Sequence, residues 1–418
     1  MAGVPEKARF YLERAVPQLR EFEAKSIFTS DEIRSLVRKR TDFEHLVLSP
    51  GNKPSDWLNY AAWEKSLEAL RAKRCRRLQI RTSSRHTGEG RIFAILDRAV
   101  GRHPGSVELW KEYLAYAQGL NATKRYRKTM SRALRMHPTK PELWVLAGRR
   151  AAQHGDMQAA RNFFMRGARF CTRDATIMLE YARCEMEWLE RMDARREKKG
   201  GAEKALEEQA EKSDDEIQFP GEESDDDVDE NGRLVAPDPR EPAEKKVFDE
   251  DMAKKLRGNP ALDGAIPVAI FDICKKQPFF KAATGEQFFD LFATFHTVSA
   301  QARLIQHVLD GMTEIDPHNP STSFCQFRQP FINIGISTPS YPEALREALS
   351  RLKSSLPTST SQPLLAEKVR SWIGPILASQ DFDPGIRTVL EHTLRTLPKP
   401  QGSLLFTMGA GIAGGAGG

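Results

Sequence analysis

Glu108-Leu109-Trp110-Lys111-Glu112-Tyr113, Glu142-Leu143-Trp144-Val145-Leu146-Ala147 and Thr176-Ile177-Met178-Leu179-Glu180-Tyr181 are one pattern written three times, 34 residues apart. A second pattern keeps step with it. Arg98-Ala99-Val100 precedes His103-Pro104, Arg132-Ala133-Leu134 precedes His137-Pro138, and Arg166-Gly167-Ala168 falls at the same phase. A period of this size marks stacked helix–turn–helix units. One unit cannot cover its own apolar face, so its neighbours must. The chain is therefore expected to be all-α, and its function to lie on its surfaces.

The pattern extends toward the N-terminus. Trp57, Tyr60 and Trp63 share one face of a helix, and residues 91–100 supply its partner. Trp57 lies 53 residues before Trp110, and the excess over one period falls within 71–90. The next pairs are 106–138 and 140–172. A fourth opens at Thr176 and runs through Trp188 into residues 191–210, whose Glu, Lys, Arg and Ala content extends the helix. Residues 5–48 also read as helices, with Thr29 and Glu32 at capping-box spacing ahead of Ile33, Leu36 and Val37. Beyond 248, apolar periodicity returns over 266–273, 285–295, 302–315, 341–356, 364–377 and 386–397. The expected organisation is a helical region over 1–55, repeats over 56–195, an acidic disordered insertion over 196–254, degenerate repeats over 255–400 and a disordered Gly/Ala tail over 401–418.

Composition narrows the function. Hydrophobic residues make up 40% of the 418, enough for a packed core. No run of about 18 apolar residues points to a membrane span, and the first ten residues lack the apolar centre of a signal peptide. Cys75, Cys171, Cys184, Cys274 and Cys325 form no CxxC pair and read as reduced, core-filling thiols. The net charge of +6 conceals an asymmetry: residues 1–190 carry +14 and residues 201–250 carry −13. A basic body beside an acidic tether suits work among nucleic acids.

Paired helices with aromatics in the first helix and Arg-Ala-aliphatic before a proline in the second resemble the half-a-TPR (HAT) repeat. Trp144-x-x-Ala147-Gly148 fits an ordinary TPR equally well. The resemblance implies a right-handed helical-repeat solenoid of HAT helix pairs, a fold found mainly in RNA-processing assemblies. The N-terminus is more specific. Phe10-Tyr-Leu-Glu-Arg-Ala-Val-Pro-Gln-Leu19, Ile27-Phe28-Thr-Ser-Asp-Glu-Ile33, Arg38-Lys-Arg-Thr-Asp-Phe43-Glu44 and Trp57-Leu-Asn-Tyr60 through Arg71 resemble the opening of the U3 small nucleolar RNA-associated protein 6 family. The match is dense over about residues 5–100. It implies a nucleolar, non-enzymatic scaffold subunit of the small-subunit processome, within the UTP-B subcomplex. The implied partners are WD-repeat propeller subunits, the U3 ribonucleoprotein and pre-ribosomal RNA on its way to 18S RNA. No cofactor, small-molecule substrate or membrane is implied.

The residues themselves offer two kinds of candidate. Trp57, Tyr60, Trp63, Trp110, Tyr113, Tyr116, Trp144 and Tyr181, with Ala99 and Ala133, are expected in the repeat core. Arg71, Lys73, Arg74, Arg76, Arg77, Arg81 and Arg85 form the densest basic cluster, and Lys124, Arg125, Arg127 and Lys128 a second. Such clusters favour phosphate contacts, so a direct RNA-binding module built on the basic half is the alternative reading. Ser213 and Ser224 precede acidic runs and resemble acidophilic kinase sites. Other motifs have plainer readings. The 409–414 GxGxxG lacks the helix and acidic residue that a dinucleotide site requires. Asp227-Val-Asp229-Glu-Asn231-Gly232 lacks the bidentate Glu and exiting helix of an EF-hand. His103 and His137 read as turn residues, and no arrangement points to metal binding or nucleophilic catalysis.

Overall fold

The computed structural model describes residues 4–80, 85–209, 264–378 and 383–398, and every regular element among them is helical. The helices are α1 (Val4–Glu13), α2 (Val16–Ala24), α3 (Ser30–Leu48), α4 (Pro54–Arg77), α5 (Arg85–Arg102), α6 (Val107–Gly119), α7 (Thr123–Met136), α8 (Pro141–Gln153), α9 (Met157–Phe170) and α10 (Thr176–Gln209). After residue 264 come α11 (Ala265–Lys275), α12 (Ala282–Ala293), α13 (Gln301–Ile315), α14 (Pro320–Arg328), α15 (Tyr341–Ser355), α16 (Gln362–Ala378) and α17 (Pro384–Thr396). The chain divides into two compact units between Cys171 and Thr172. By that division α10 belongs with the second unit, and the repeat block expected over 56–195 is parted at 171.

In the first unit α4 pairs with α5, α6 with α7 and α8 with α9. The 34-residue period places each tryptophan at a joint. Trp110 Nε1 donates to Pro104 O at 2.9 Å, and Trp144 Nε1 to Pro138 O at 2.8 Å. The far end of the same pair returns to the same carbonyl: His137 Nε2 lies 2.7 Å from Pro104 O, and Cys171 Sγ donates to Pro138 O at 3.6 Å. Asn52 does the same work for the first pair, accepting from Trp57 Nε1 at 3.1 Å with His103 Nε2 at 2.6 Å. His103 and His137 are thus joint residues, as well as turn residues.

Packing varies within the period. Gly148 faces Phe164, and a Cβ there would sit 2.6 Å from the ring. One period earlier the corresponding residues are Leu114 and Met130, both buried. A smaller residue on one helix admits a larger one on its partner, which keeps core volume constant.

In the second unit α10 packs on α11, α12 on α13, α14 on α15 and α16 on α17. Ala182, Met186 and Leu189 of α10 share a core with Phe271 and Cys274 of α11 and Phe288 and Phe292 of α12. The two helices of this first pair are separated by residues 210–264. A further core gathers Phe324, Phe327, Leu345, Leu365, Val369 and Leu390.

Two expectations change. Residues 196–209, assigned to the acidic insertion, are the end of α10, as the helix formers in 191–210 imply. The remainder of that insertion, with Ser213 and Ser224, lies outside the described residues, as does the 401–418 tail. Helix α14 was not expected at all. Its first turn, Pro320-Ser321-Thr322-Ser323, carries no apolar period. Asn319 caps it by accepting from Ser321 N at 3.0 Å, and Thr322 Oγ1 bonds Asp316 O at 3.0 Å.

The joints yield a graded prediction. Trp110→Ala removes a side chain 1% exposed and should cost about 3–5 kcal/mol. Trp110→Phe keeps most of the packing but drops the donor to Pro104 O, and should cost far less than Ala, with the lost bond worth about 1 kcal/mol. Urea unfolding of the two variants checks this; equal losses would mean that the ring contributes little by packing.

Candidate functional site

Helices α3 and α4 bury charges. Arg40, Glu44, Tyr60 and Glu64 stand at the i, i+3 and i+4 steps that elsewhere carry apolar residues, so each points inward. Arg40 Nε donates to Glu64 Oε1 at 2.7 Å and its Nη2 to Glu64 Oε2 at 3.0 Å, with Gln18 Oε1 at 3.3 Å. Glu44 accepts from Tyr60 Oη at 2.9 Å and from both Nη atoms of Arg98, at 2.8 and 2.9 Å. The Arg98 guanidinium also lies 3.8 Å from the Tyr11 ring centroid. Burial pushes the Tyr60 hydroxyl well above its usual range, and Glu44 and Glu64 push it further. Burial also lowers Arg91, helped by the Arg40 charge. This network ties α1, α2, α3, α4 and α5 into one block.

The repeat-core candidates occupy two environments. Trp57, Tyr60, Trp110, Tyr113, Trp144, Ala99 and Ala133 are buried. Trp63, Tyr116 and Tyr181 are half-buried. Trp63 packs on Phe43, and Tyr116 lies between the Phe93 ring and the Lys65 ammonium.

The first basic cluster is not a single surface. Arg71 is 3% exposed and held by Glu68, with Cys75 Sγ also in reach. Arg74 is half-exposed and engaged: it bonds Ile27 O at 3.0 Å and Glu32 at 2.7 and 2.8 Å, and covers the Phe28 ring. The buried Arg71 faces the core, and Arg74 is occupied by Glu32 at the surface. Lys73, Arg76 and Arg77 remain exposed. Arg81 and the side chain of Arg85 lie outside the described residues. Lys124, Arg125, Arg127 and Lys128 are all exposed on α7. There they join Arg132 and Arg135, and the exposed Arg166 and Arg169 of α9 continue the series. These four escaped the sequence reading because they are spread at helical spacing and do not stand in a run. The signal was the 34-residue offset itself, which relates Arg132 to Arg166 and Arg135 to Arg169.

All five cysteines are free and buried. Burial pushes the Cys274 and Cys325 thiols up to about 12, which leaves them protonated and inert at neutral pH. Among the described residues no group of three His, Cys, Asp or Glu could hold a metal ion, and no helix is long and apolar enough to cross a membrane.

The buried pair makes a testable case. Glu64→Leu strands the Arg40 charge and should cost about 3–5 kcal/mol, whereas Arg40→Met combined with Glu64→Leu should recover most of that loss. Simple additivity in a double-mutant cycle would show that the two are uncoupled. At the surface, the Arg74 hydrogen bonds and then the Thr29 backbone N–H hold the Glu32 carboxyl at about 2, from an ordinary 4.5. A depressed carboxyl stabilises above its unfolded value and ceases to as pH falls through its folded one. The gap in urea midpoint between the parent and Glu32→Gln should therefore narrow from pH 5 toward pH 2; a constant gap would contradict it.

Known proteins match this same block. The family model for U3 small nucleolar RNA-associated protein 6 matches residues 12–95. A U3 small nucleolar RNA-associated protein 6 of Schizosaccharomyces pombe is 34% identical over 194 residues, which is 46% of this chain and 40% of that one. Homologues from Homo sapiens and Mus musculus are 26% and 25% identical, over 32% and 31% of their lengths. The chain thus matches well under half the length of these relatives. A solved Naa15/Naa10 complex bound to HypK-THB covers 92% of the chain at 13% identity, but its TM-score of 0.23 is too low to bear on fold or function. The resemblance of residues 5–100 is met by the family model across 12–95, and the N-terminal part of this chain carries the segment of the U3 small nucleolar RNA-associated protein 6 family.

Proposed function

We propose that the chain acts as a non-enzymatic scaffold in a U3 ribonucleoprotein assembly that processes pre-ribosomal RNA. The observation that carries this reading is the coincidence of the family segment, 12–95, with the helical block closed by the Arg40–Glu64 and Glu44–Arg98 pairs. A block tied internally by buried charges, continued by stacked pairs, keeps a fixed surface for partners. In the finer form, the assembly is the nucleolar small-subunit processome. The chain sits in its UTP-B subcomplex beside WD-repeat propeller subunits and supports U3-guided cleavage toward 18S RNA.

Affinity purification of the tagged full chain from nuclear extract tests this. U3 RNA and WD-repeat propeller proteins should co-purify at moderate salt. Glu64→Leu should lose them together with the fold of the N-terminal block. A stable complex free of both U3 RNA and propeller proteins would overturn the reading.

A further inference from the structure

Helices α7 and α9 carry nine lysines and arginines between them and not one acidic residue. Lys124, Lys128, Arg132 and Arg135 stand at i, i+4, i+8 and i+11 on the exposed face of α7. The 1.5 Å rise places neighbours in that row about 4.5–6 Å apart along the axis. Arg166 and Arg169 repeat the last two positions one period later on α9. Arg132 reaches Asp97 of α5 at 3.6 Å, an exposed and weak pairing. The other five form no ion pair among the described residues. Like charges at i, i+4 destabilise a helix, and among the described residues the row is offset only at Arg132, by Asp97 and by the Trp110 ring 5.5 Å away.

The same two helices also carry exposed apolar groups. Phe170 is 53% exposed, Met165 53% and Met136 51%. Met136 and Phe170 are one period apart, and each ends its helix next to an arginine. Phe170 is stacked on Trp144, with centroids 5.9 Å apart and planes 11° from parallel, so its outer face is held flat. Cations in rows with a fixed aromatic plate beside them are the equipment for single-stranded nucleic acid: phosphates pair with the cations, and bases lie on the plate. An acidic peptide would use the charges and leave the exposed ring and thioethers unmatched.

We infer that the α7/α9 face binds single-stranded RNA, with Lys124, Lys128, Arg132, Arg135, Arg166 and Arg169 on phosphates and Phe170 under a base. The site lies wholly on these two helices and does not depend on membership of a U3 assembly.

Fluorescence anisotropy with the full chain and a labelled oligouridylate of about 20 nucleotides tests it, over a salt series from about 50 to 200 mM. Each phosphate neutralised on a single strand contributes about −0.7 to the slope of log K against log salt. The triple variant Lys128→Glu, Arg135→Glu, Arg169→Glu should flatten that slope by about 2 and weaken binding about 100-fold near 0.1 M salt. The triple Gln version should move in the same direction by less. Phe170→Ala should weaken binding about tenfold and leave the slope unchanged. Lys73→Glu, Arg76→Glu, Arg77→Glu on α4 should keep the parent affinity. All these positions are exposed, so every variant should remain folded, with at most a small shift in melting temperature from the lost Trp144 contact or the altered charge row. Three results would each overturn the inference: no binding by the parent at the lowest salt, a loss that follows the α4 triple, or tighter binding of a polyglutamate peptide. Equal affinity for an RNA duplex with no effect of Phe170→Ala would overturn the single-strand assignment.

Discussion

In the first unit the two ends of a helix pair meet on one acceptor in the turn that precedes the pair. Pro104 O takes the Trp110 indole from the start of α6 and the His137 ring from the end of α7. The backbone N–H groups of Ser106 and Lys140 go to His103 O and His137 O, so the proline carbonyls are left to side-chain donors. Filling that carbonyl from both sides fixes two things at once. It sets the start of the next helix and the depth to which the following one is drawn in. Because both donors recur at 34 residues, the relation is copied to Pro138 with Trp144 and Cys171. The donor changes from imidazole to thiol, yet the acceptor and the offset hold. The stacking of pairs rests on this shared atom as much as on apolar burial, which is not directional.

The block before the repeats uses a more demanding device. The buried Glu44 and Glu64 are opposed by the buried Arg40 and the half-buried Arg91 and Arg98. Such pairs gain little net stability, because desolvation consumes much of the attraction. They penalise any other arrangement heavily, since a shift of one residue in α3 or α4 would leave a buried charge alone. A block of this kind has one register. That property suits a surface against which other components are placed.

Most of the architecture was legible in the chain. The indole spacing and the Arg-Ala-aliphatic pattern placed α4 through α9, and the Thr29–Glu32 capping box marks the start of α3. Arg71 shows where the reading went astray and why. Taken as a basic run, 71–77 is a surface; taken by period, Trp57, Tyr60, Glu64, Leu67, Arg71 and Cys75 form one inward stripe. The period decides, because side-chain direction follows helix geometry and not charge. The same logic exposes Arg40 and Glu44 as buried charges within the stripe of Ile33, Leu36 and Val47. Helix α14 was hidden for the opposite reason: its first turn is set by a side-chain cap, and its inward residues include Ser and Thr. Of the face proposed to meet RNA, the Lys124–Lys128 run was legible in the chain, whereas Arg132, Arg135, Arg166, Arg169 and the exposed Phe170 ring were not, because they are spread at helical spacing over two helices.

The pairing of α10 with α11 bears on what the acidic stretch can do. The connection between them runs from Gln209 to Ala265, where α6/α7 and α8/α9 are joined by three residues. Lengthening a closed loop costs only logarithmically in chain entropy, so a connection more than tenfold longer costs about 2 kcal/mol. Phe271 and Cys274 are fully buried against α10 and its neighbours. One buried Phe side chain contributes about 1.5–3 kcal/mol, so burial of this ring alone offsets a cost of that size. The pair can therefore form with the long connection in place. In sequence, the negative charge of 201–250 thus falls between two helices of one core and not at the division after Cys171. Cleaving the connection would not be expected to part the two helices, because their shared core, and not the chain between them, holds them together.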